Sequence, residues 1–297
     1  MLDFKEPELT DKPWIDEIIA RKTRCADLCF TSIYLWKDSL GTRIARFGDR
    51  LIMKTSVHGR DIYTFPVGRG ELKPAVDAIR EDAAENGSKL VMRGICQAQI
   101  EAMRELYGEE FEAEADVDSF DYVYLASSLA NPSGKRLHSK KNHINRFIAE
   151  NDWSYEPIGA DNLDDCRLVT ANWLENNGSK LEENVLDESA ALRRLFEDYF
   201  ALGLEGGILR SGGRAVAFTV GEILSDDMFV THFEKADADI NGAYQMINRE
   251  FARQITDTHP EILYINREED MGIENLRRAK QSYFPEFMVE KYKAKWR

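Results

Sequence analysis

The stretch ADINGAYQMINREFARQI (238–255) constrains the fold more than any other part of the chain. It opens on a bare Asn241-Gly242 and continues with Tyr244, Ile247, Phe251 and Ile255 on one helical face. Two strand-like runs flank it, MFVTHFEKA (228–236) and EILYINREED (261–270), and both end in charge. Strand, glycine turn, helix and strand form a crossover unit, which places this part of the chain in a mixed α/β sheet. Ligands of such sheets gather at the carboxyl ends of strands, so the polar tips mark the edge where a site belongs.

The elements around this unit follow a definite order. WSYEPI (153–158) reads as a strand, and DNLDDCRLVTANWLEN (161–176) and ESAALRRLFEDYFAL (188–202) as helices. GGILRS and RAVAFTVGEIL are strands joined by Ser211-Gly212-Gly213, a hairpin signal. IENLRRAKQ is a helix and EFMVEKYKA a final strand. The first half opens with a helix that Thr10 or Asp11 can cap, with Pro13 in its first turn. RIARFGDRLIMKTSV and DIYTFPVG then give three strands, with Gly48-Asp49 at the first turn. ELKPAVDAIREDAAENG is a helix, KLVMRGI a strand, QAQIEAMREL a helix, and FEAEADVDSFDYVYLA one or two strands. Both halves thus share strand–strand–strand–helix–strand–helix–strand, offset by about 170 residues. The expectation is an α/β (α+β) protein of two lobes, each a mixed sheet flanked by helices. Residues 1–132 form the first lobe, 133–151 a bridging basic helix, and 152–297 the second lobe, which carries the site.

The order in the second half is that of the GNAT acyltransferase fold. The segments FTSIYLWKD, KKNHINRF, AFTVGE, HFEKAD, GAYQMINREFA, YINREEDMG and LRRAKQSYFPEFMVEKY resemble an uncharacterised bacterial family. That family is related to the C-terminal catalytic domain of phosphatidylglycerol lysyltransferases, and the resemblance covers about residues 30–293. It implies two GNAT-like lobes and kinship with the Fem peptidyltransferases, which take an aminoacyl group from aminoacyl-tRNA. It also implies that the strands around the long helix splay, with the donor in the gap and its phosphates on the helix-start amides, here Gly242 and Ala243. The chain departs from the coenzyme A pattern, Arg/Gln-x-x-Gly-x-Gly/Ala. Asp239-Ile240-Asn241-Gly242-Ala243 has no basic residue and one glycine, and Asp237 and Asp239 repel a pyrophosphate. An aminoacyl-tRNA donor is therefore expected ahead of coenzyme A, with a lipid, a peptide or a small amine as acceptor. A non-catalytic binding or regulatory module on the same fold, and an acyl-coenzyme A-dependent N-acetyltransferase, stay open as alternatives.

Acyl transfer needs a base, donors for a developing oxyanion and an acid for the leaving group. Alternation along MFVTHFEKA puts Met228, Val230, His232 and Glu234 on one face and Phe229, Thr231, Phe233 and Lys235 on the other. Glu234 and His232 are the catalytic candidates there, with Glu222 as a second carboxylate. Asn266 and Arg267 head the most polar strand end in the chain, and Arg267 can fork onto a carboxylate or phosphate. Arg277 and Lys280 share a helical face just before Tyr283. GNAT enzymes often place a leaving-group acid near that position, so the resemblance gives this role to Tyr283. The substrate-binding set is Lys235, Asn266, Arg267, Arg277, Lys280, Gly242 and Ala243. The same groups also fit a plain salt-bridge network.

Charge and composition narrow the partners. At −14 the chain repels nucleic acid over most of its surface, so a contact with a tRNA acceptor stem has to be local. Lys135, Arg136, Lys140, Lys141 and Arg146 accumulate before Glu150 and offer such a patch; solvated charge or pairing with acidic residues explains them equally. Cys25, Cys29, Cys96 and Cys166 lack metal-ligand spacing, no metal is expected, and reduced thiols fit a cytoplasmic protein. No apolar run reaches the ~18–20 residues of a membrane span, and no secretory signal is visible.

Overall fold

The computed structural model describes residues 2–57, 59–177 and 183–297. In chain order the elements are α1 (Lys12–Ile19), α2 (Phe30–Leu35), β1 (Arg43–Phe47), β2 (Arg50–Val57), β3 (Arg60–Tyr63), β4 (Val67–Gly68), α3 (Leu72–Glu85), β5 (Val91–Ile95), α4 (Gln97–Tyr107) and β6 (Phe111–Ala115). There follow β7 (Asp121–Leu125), α5 (Ala126–Ala130), α6 (His138–Glu150), β8 (Trp153–Pro157), α7 (Leu163–Asn177), α8 (Glu183–Leu202), β9 (Glu205–Ser211), β10 (Arg214–Ser225), β11 (Met228–Ala236) and α9 (Ala243–Thr258). The chain ends with β12 (Tyr264–Asn266), α10 (Glu274–Gln281), β13 (Phe287–Val289) and β14 (Tyr292–Trp296). The chain is mixed α/β, with two mixed sheets flanked by helices, as the element order implies.

The first compact unit comprises Met1–Asp121, Glu269–Gly272 and Val289–Arg297. Its sheet runs β1-β2-β3-β5-β14-β6, with β4 on β2. The α3 face Val76, Ile79 and Ala83 and the α4 face Ile100 and Met103 close the core over Ile52, Tyr63, Met92 and Trp296. A fully buried Lys291 holds this unit's irregular segments. Its Nζ lies 2.7 Å from Asp121 Oδ1, 2.8 Å from Asp27 Oδ2 and 3.5 Å from Glu269 Oε2. Burial opposes the charge, but Asp121 and Asp27 outweigh it and hold the Lys291 pKa well above its ordinary value. The three carboxylates thus surround an ammonium already in place.

The second unit comprises Tyr122–Glu268 and Ile273–Met288, with sheet order β13-β7-β12-β11-β10-β9-β8. The long helix α9 buries Met246, Ile247, Phe251 and Ile255, as its period requires. Phe251 meets Phe229 of β11 edge-on at 5.5 Å, and α5 packs beside α9.

The units cut the chain differently from the 1–132, 133–151 and 152–297 division. β7 pairs with β12 through Val123↔Asn266, Tyr124↔Ile265 and Leu125↔Tyr264, so it joins the second sheet. α6 is no free-standing bridge: Ile144 and Phe147 are buried against Ala243, Met246 and Ile247 of α9. EFMVEKYKA is two strands rather than one. β13 belongs to the second sheet, whereas β14 pairs with β5 and β6 in the first. Alternation marks a strand but does not say which sheet completes its hydrogen bonds.

Candidate functional site

β11 and β12 run parallel for three residue pairs, Met228↔Tyr264, Phe229↔Ile265 and Val230↔Asn266. There β12 ends, while β11 continues to Ala236 on the other neighbour, β10. The two strands therefore part beyond Val230 and Asn266, leaving a gap at their carboxyl ends. Val220 opposes Phe233 and Gly221 opposes Thr231, so His232 is the extra residue of a β-bulge. This bulge corrects the strict alternation expected from sequence. Glu234 shares the α9 side with Phe229, since Asn248 of α9 donates to its Oε2 at 3.2 Å. Lys235 points the other way. Its Nζ reaches Glu188 Oε1 of α8 at 2.7 Å and lies 3.6 Å from the ring centroid of Trp173 on α7. Lys235 is thus not brought together with Glu234; burial lowers its pKa.

The gap is crossed by an ion pair. Arg267 Nη2 donates to Glu234 Oε1 at 2.9 Å, with the side chains only 14% and 11% exposed. The guanidinium also lies 5.0 Å from the Tyr283 ring and 5.7 Å from the Tyr124 ring. Burial alone lowers the Arg267 pKa, but Glu234 and then the two phenols outweigh it and the net shift is upward. Burial raises the phenol pKa of both Tyr124 and Tyr283. Lys140 of α6 also meets Tyr283, with its Nζ 4.2 Å from the ring centroid. Burial, then Arg267, lower the Lys140 pKa. One turn earlier in the chain Arg136 lies 5.6 Å from the ring of Phe284, a half-exposed residue at φ 55°. Arginine, tyrosine, lysine, arginine and phenylalanine thus form one cation–aromatic strip.

Asn266 and Lys280 build the turn that aims Arg267. Asn266 is fully buried, and its Oδ1 accepts the Glu268 amide at 2.7 Å. Lys280 Nζ donates to the Arg267 and Glu268 carbonyls at 2.6 and 3.1 Å. These bonds hold Glu268 at φ 58°, a backbone region that disfavours side chains with a Cβ. Glu268 in turn carries His232, whose Nδ1 is 2.8 Å from Glu268 Oε1 and whose Nε2 is 3.1 Å from Glu222 Oε1. The carboxylates take opposite ring nitrogens, so these three side chains brace the bulge rather than converge on one point. Arg277 is half-buried on α10.

The α9 start has a different character. Gly242 adopts φ 86°, and a Cβ there would run into the His143 carbonyl oxygen of α6 and come 3.0 Å from Phe147 Cβ. The glycine therefore lets α6 pass close over the helix start. Ala243 is buried, and a recess of about 380 Å³ lies between His143 and the 238–245 segment. His143 Nδ1 lies 2.9 Å from Asn241 Oδ1, and Asp237 pairs with Arg214 at 3.1 Å. Of the basic patch, Arg146 pairs with Glu150 one turn on, at 2.9 Å, while Lys135 and Lys141 are exposed. Tyr124, Asn248 and Phe284 were not foreseen as site residues. Phe284 adjoins Tyr283 before Pro285, a signal that could have been used; Tyr124 and Asn248 come from distant elements with no local signature.

Comparison with known proteins agrees with this architecture. Residues 20–295 match the family model described as phosphatidylglycerol lysyltransferase, C-terminal, and the chain belongs to this family. It is 38% identical to a conserved protein of unknown function from Bacteroides thetaiotaomicron, over 100% of both chains, with a TM-score of 0.93. The C-terminal domain of a putative lysylphosphatidylglycerol synthetase from Agrobacterium fabrum shares the fold: 15% identity, TM-score 0.69, covering 96% of this chain and 91% of that one. FemX does likewise at 8% identity, TM-score 0.62, covering 98% and 97%. An uncharacterised protein of Mycoplasmoides gallisepticum is 24% identical over 204 residues, 66% of this chain and 62% of that relative. Among the described residues no helix is long and apolar enough to cross a membrane.

Proposed function

From this membership and the cation-lined gap, we propose that the protein is a GNAT-like acyltransferase. In this reading it moves an aminoacyl group from a tRNA-borne ester to an amine or hydroxyl on a lipid, a peptide or a small amine. The observation that carries the reading is the strip in which Arg136 and Arg267 lie against Phe284, Tyr283 and Tyr124. Among the described residues Glu234 is the carboxylate tied into it, in a chain of net charge −14. Cations with interleaved aromatic faces suit the phosphates and bases of a single-stranded nucleic-acid end. Arg136, with Lys135 and Lys141 nearby in sequence, would meet phosphate. Arg267, fixed by Glu234, would face the ester carbonyl oxygen as charge develops on it, and Tyr283, whose phenol keeps its proton, would protonate the leaving hydroxyl.

Acyl-coenzyme A is the less favoured donor. Gly242 is taken up by the passage of α6, and Asp237 and Asp239 add negative charge beside the helix start. The test is incubation with a pool of tRNA charged with radiolabelled amino acids, alongside acetyl-coenzyme A, with amine and lipid acceptors. Transfer of label from tRNA, abolished by Arg267→Lys, which replaces the planar guanidinium with a point charge, is the expected result. Turnover of acetyl-coenzyme A alone would overturn the donor assignment, and saturable binding of charged tRNA without transfer would identify a binding module.

A further inference from the structure

Lys140 differs from Arg267, which contacts the same Tyr283 ring. Arg267 has Glu234, whose two oxygens are both engaged, one by Arg267 and one by Asn248. Among the described residues Lys140 has no carboxylate partner; its ammonium rests on the Tyr283 ring, which Arg267 also contacts. The titratable and charged groups around it are Arg267 and Tyr283 from the β12–α10 side, Glu234 behind Arg267, and Arg136 before α6. A half-buried ammonium beside a guanidinium, with no counter-ion, is pressed to give up its proton. The downward shift of Lys140 by burial and by Arg267 agrees with that geometry. Glu234, by contrast, has the Arg267 guanidinium against it as a counter-charge.

Resting on the acyl-transfer reading, we propose that Lys140 is the proton acceptor of this site, placed beside Tyr283 as the proton donor. The neutral Lys140 amine takes a proton from the attacking amine or hydroxyl of the acceptor. The freed lone pair forms the bond to the acyl carbon, and the ester C–O bond breaks. The departing oxygen takes the Tyr283 proton, and solvent carries the Lys140 proton back to the Tyr283 phenolate. The net change is acceptor–H plus acyl ester giving acylated acceptor plus free hydroxyl.

Trace labelling of the full chain with acetic anhydride, read lysine by lysine by mass spectrometry from about pH 6 to 11, tests this without requiring turnover. At neutral pH Lys140 should label severalfold faster than the exposed Lys135 and Lys141 on the same segment, and Arg267→Gln should shrink that lead. A Lys140 rate at or below theirs overturns the proposal. So does selective protection of Lys140 by inorganic phosphate, which would mark it as an anion site. In the transfer assay Lys140→Arg, which keeps charge and length, should lower kcat severalfold and leave KM for the donor unchanged. Wild-type turnover by Lys140→Arg also overturns the proposal. If the unaltered protein transfers nothing while Lys140 labels fastest, the acyl-transfer reading fails and the neutral amine stands.

Discussion

Replacing Glu234 with Gln separates what the carboxylate does for Arg267 from any direct role in chemistry. The swap keeps volume and removes one charge from a pair joined at 2.9 Å, with side chains 11% and 14% exposed. Breaking a buried pair by neutralising one partner costs about 3–5 kcal/mol, because the other charge stays buried. Here the rings of Tyr283 and Tyr124 remain against the guanidinium, and such contacts contribute about 0.5–2 kcal/mol. The expected net loss is therefore about 2–4 kcal/mol. At about 2–4 °C per kcal/mol for a unit of this size, the transition of the second unit should fall by roughly 5–15 °C. Calorimetry with far-ultraviolet dichroism follows it, and Glu234→Gln with Arg267→Met should recover much of the loss, since no buried charge is then orphaned. A single Glu234→Gln protein melting within about 1 °C of the original would refute the pairing argument.

Three further outcomes follow from the same geometry. Gly242→Ala should cost about 2 kcal/mol or more by urea denaturation, combining a left-handed backbone penalty of about 1–2 kcal/mol with overlap on the His143 carbonyl; a change under about 0.5 kcal/mol would mean that α6 moves aside freely. Lys291→Met should cost about 3–5 kcal/mol in the first unit, because Asp121 and its neighbours lose their ammonium. For Lys140 the sign follows from its lowered folded-state pKa: between that value and the unfolded lysine value the unfolded chain binds more protons, so its contribution to stability grows with rising pH. Urea titrations from neutral to alkaline pH should show that growth in the original protein and not in Lys140→Met.

Period and turn chemistry carried most of the fold into the sequence. The α9 stripe, the Gly212-Gly213 hairpin and the polar end of β12 lie where their residues require. Pairing partners were less legible. β7 and β14 read correctly as strands, yet each completes a sheet far from its sequence neighbours, because an edge's hydrogen-bonding vacancy is a property of the assembled sheet. The β11 bulge shows the same limit at atomic scale. One extra residue at His232 redirects the strand beyond it, and nothing in HFEKA signals where the register slips.

The site shows how a local reading can name residues that lie together and miss their arrangement. Asn266 and Arg267 stand out by sequence as polar groups at a strand end, and Lys280 and Tyr283 as a cation and an aromatic at the end of the next helix. Their division of labour depends on three-dimensional satisfaction. Lys280 spends two donors on the Arg267 and Glu268 carbonyls, and Asn266 closes the turn, so these two hold Arg267 rather than extend the binding surface. Glu234 accepts on both oxygens, from Arg267 and Asn248, so the group of this cluster whose charge is least compensated lies elsewhere. That group, Lys140, lies in sequence among exposed lysines with which composition alone groups it. What distinguishes it is the proximity of Tyr283 and Arg267, more than a hundred residues later in the chain. A buried polar network assigns its roles by exclusion, since each engaged donor or acceptor narrows what the remaining groups can do.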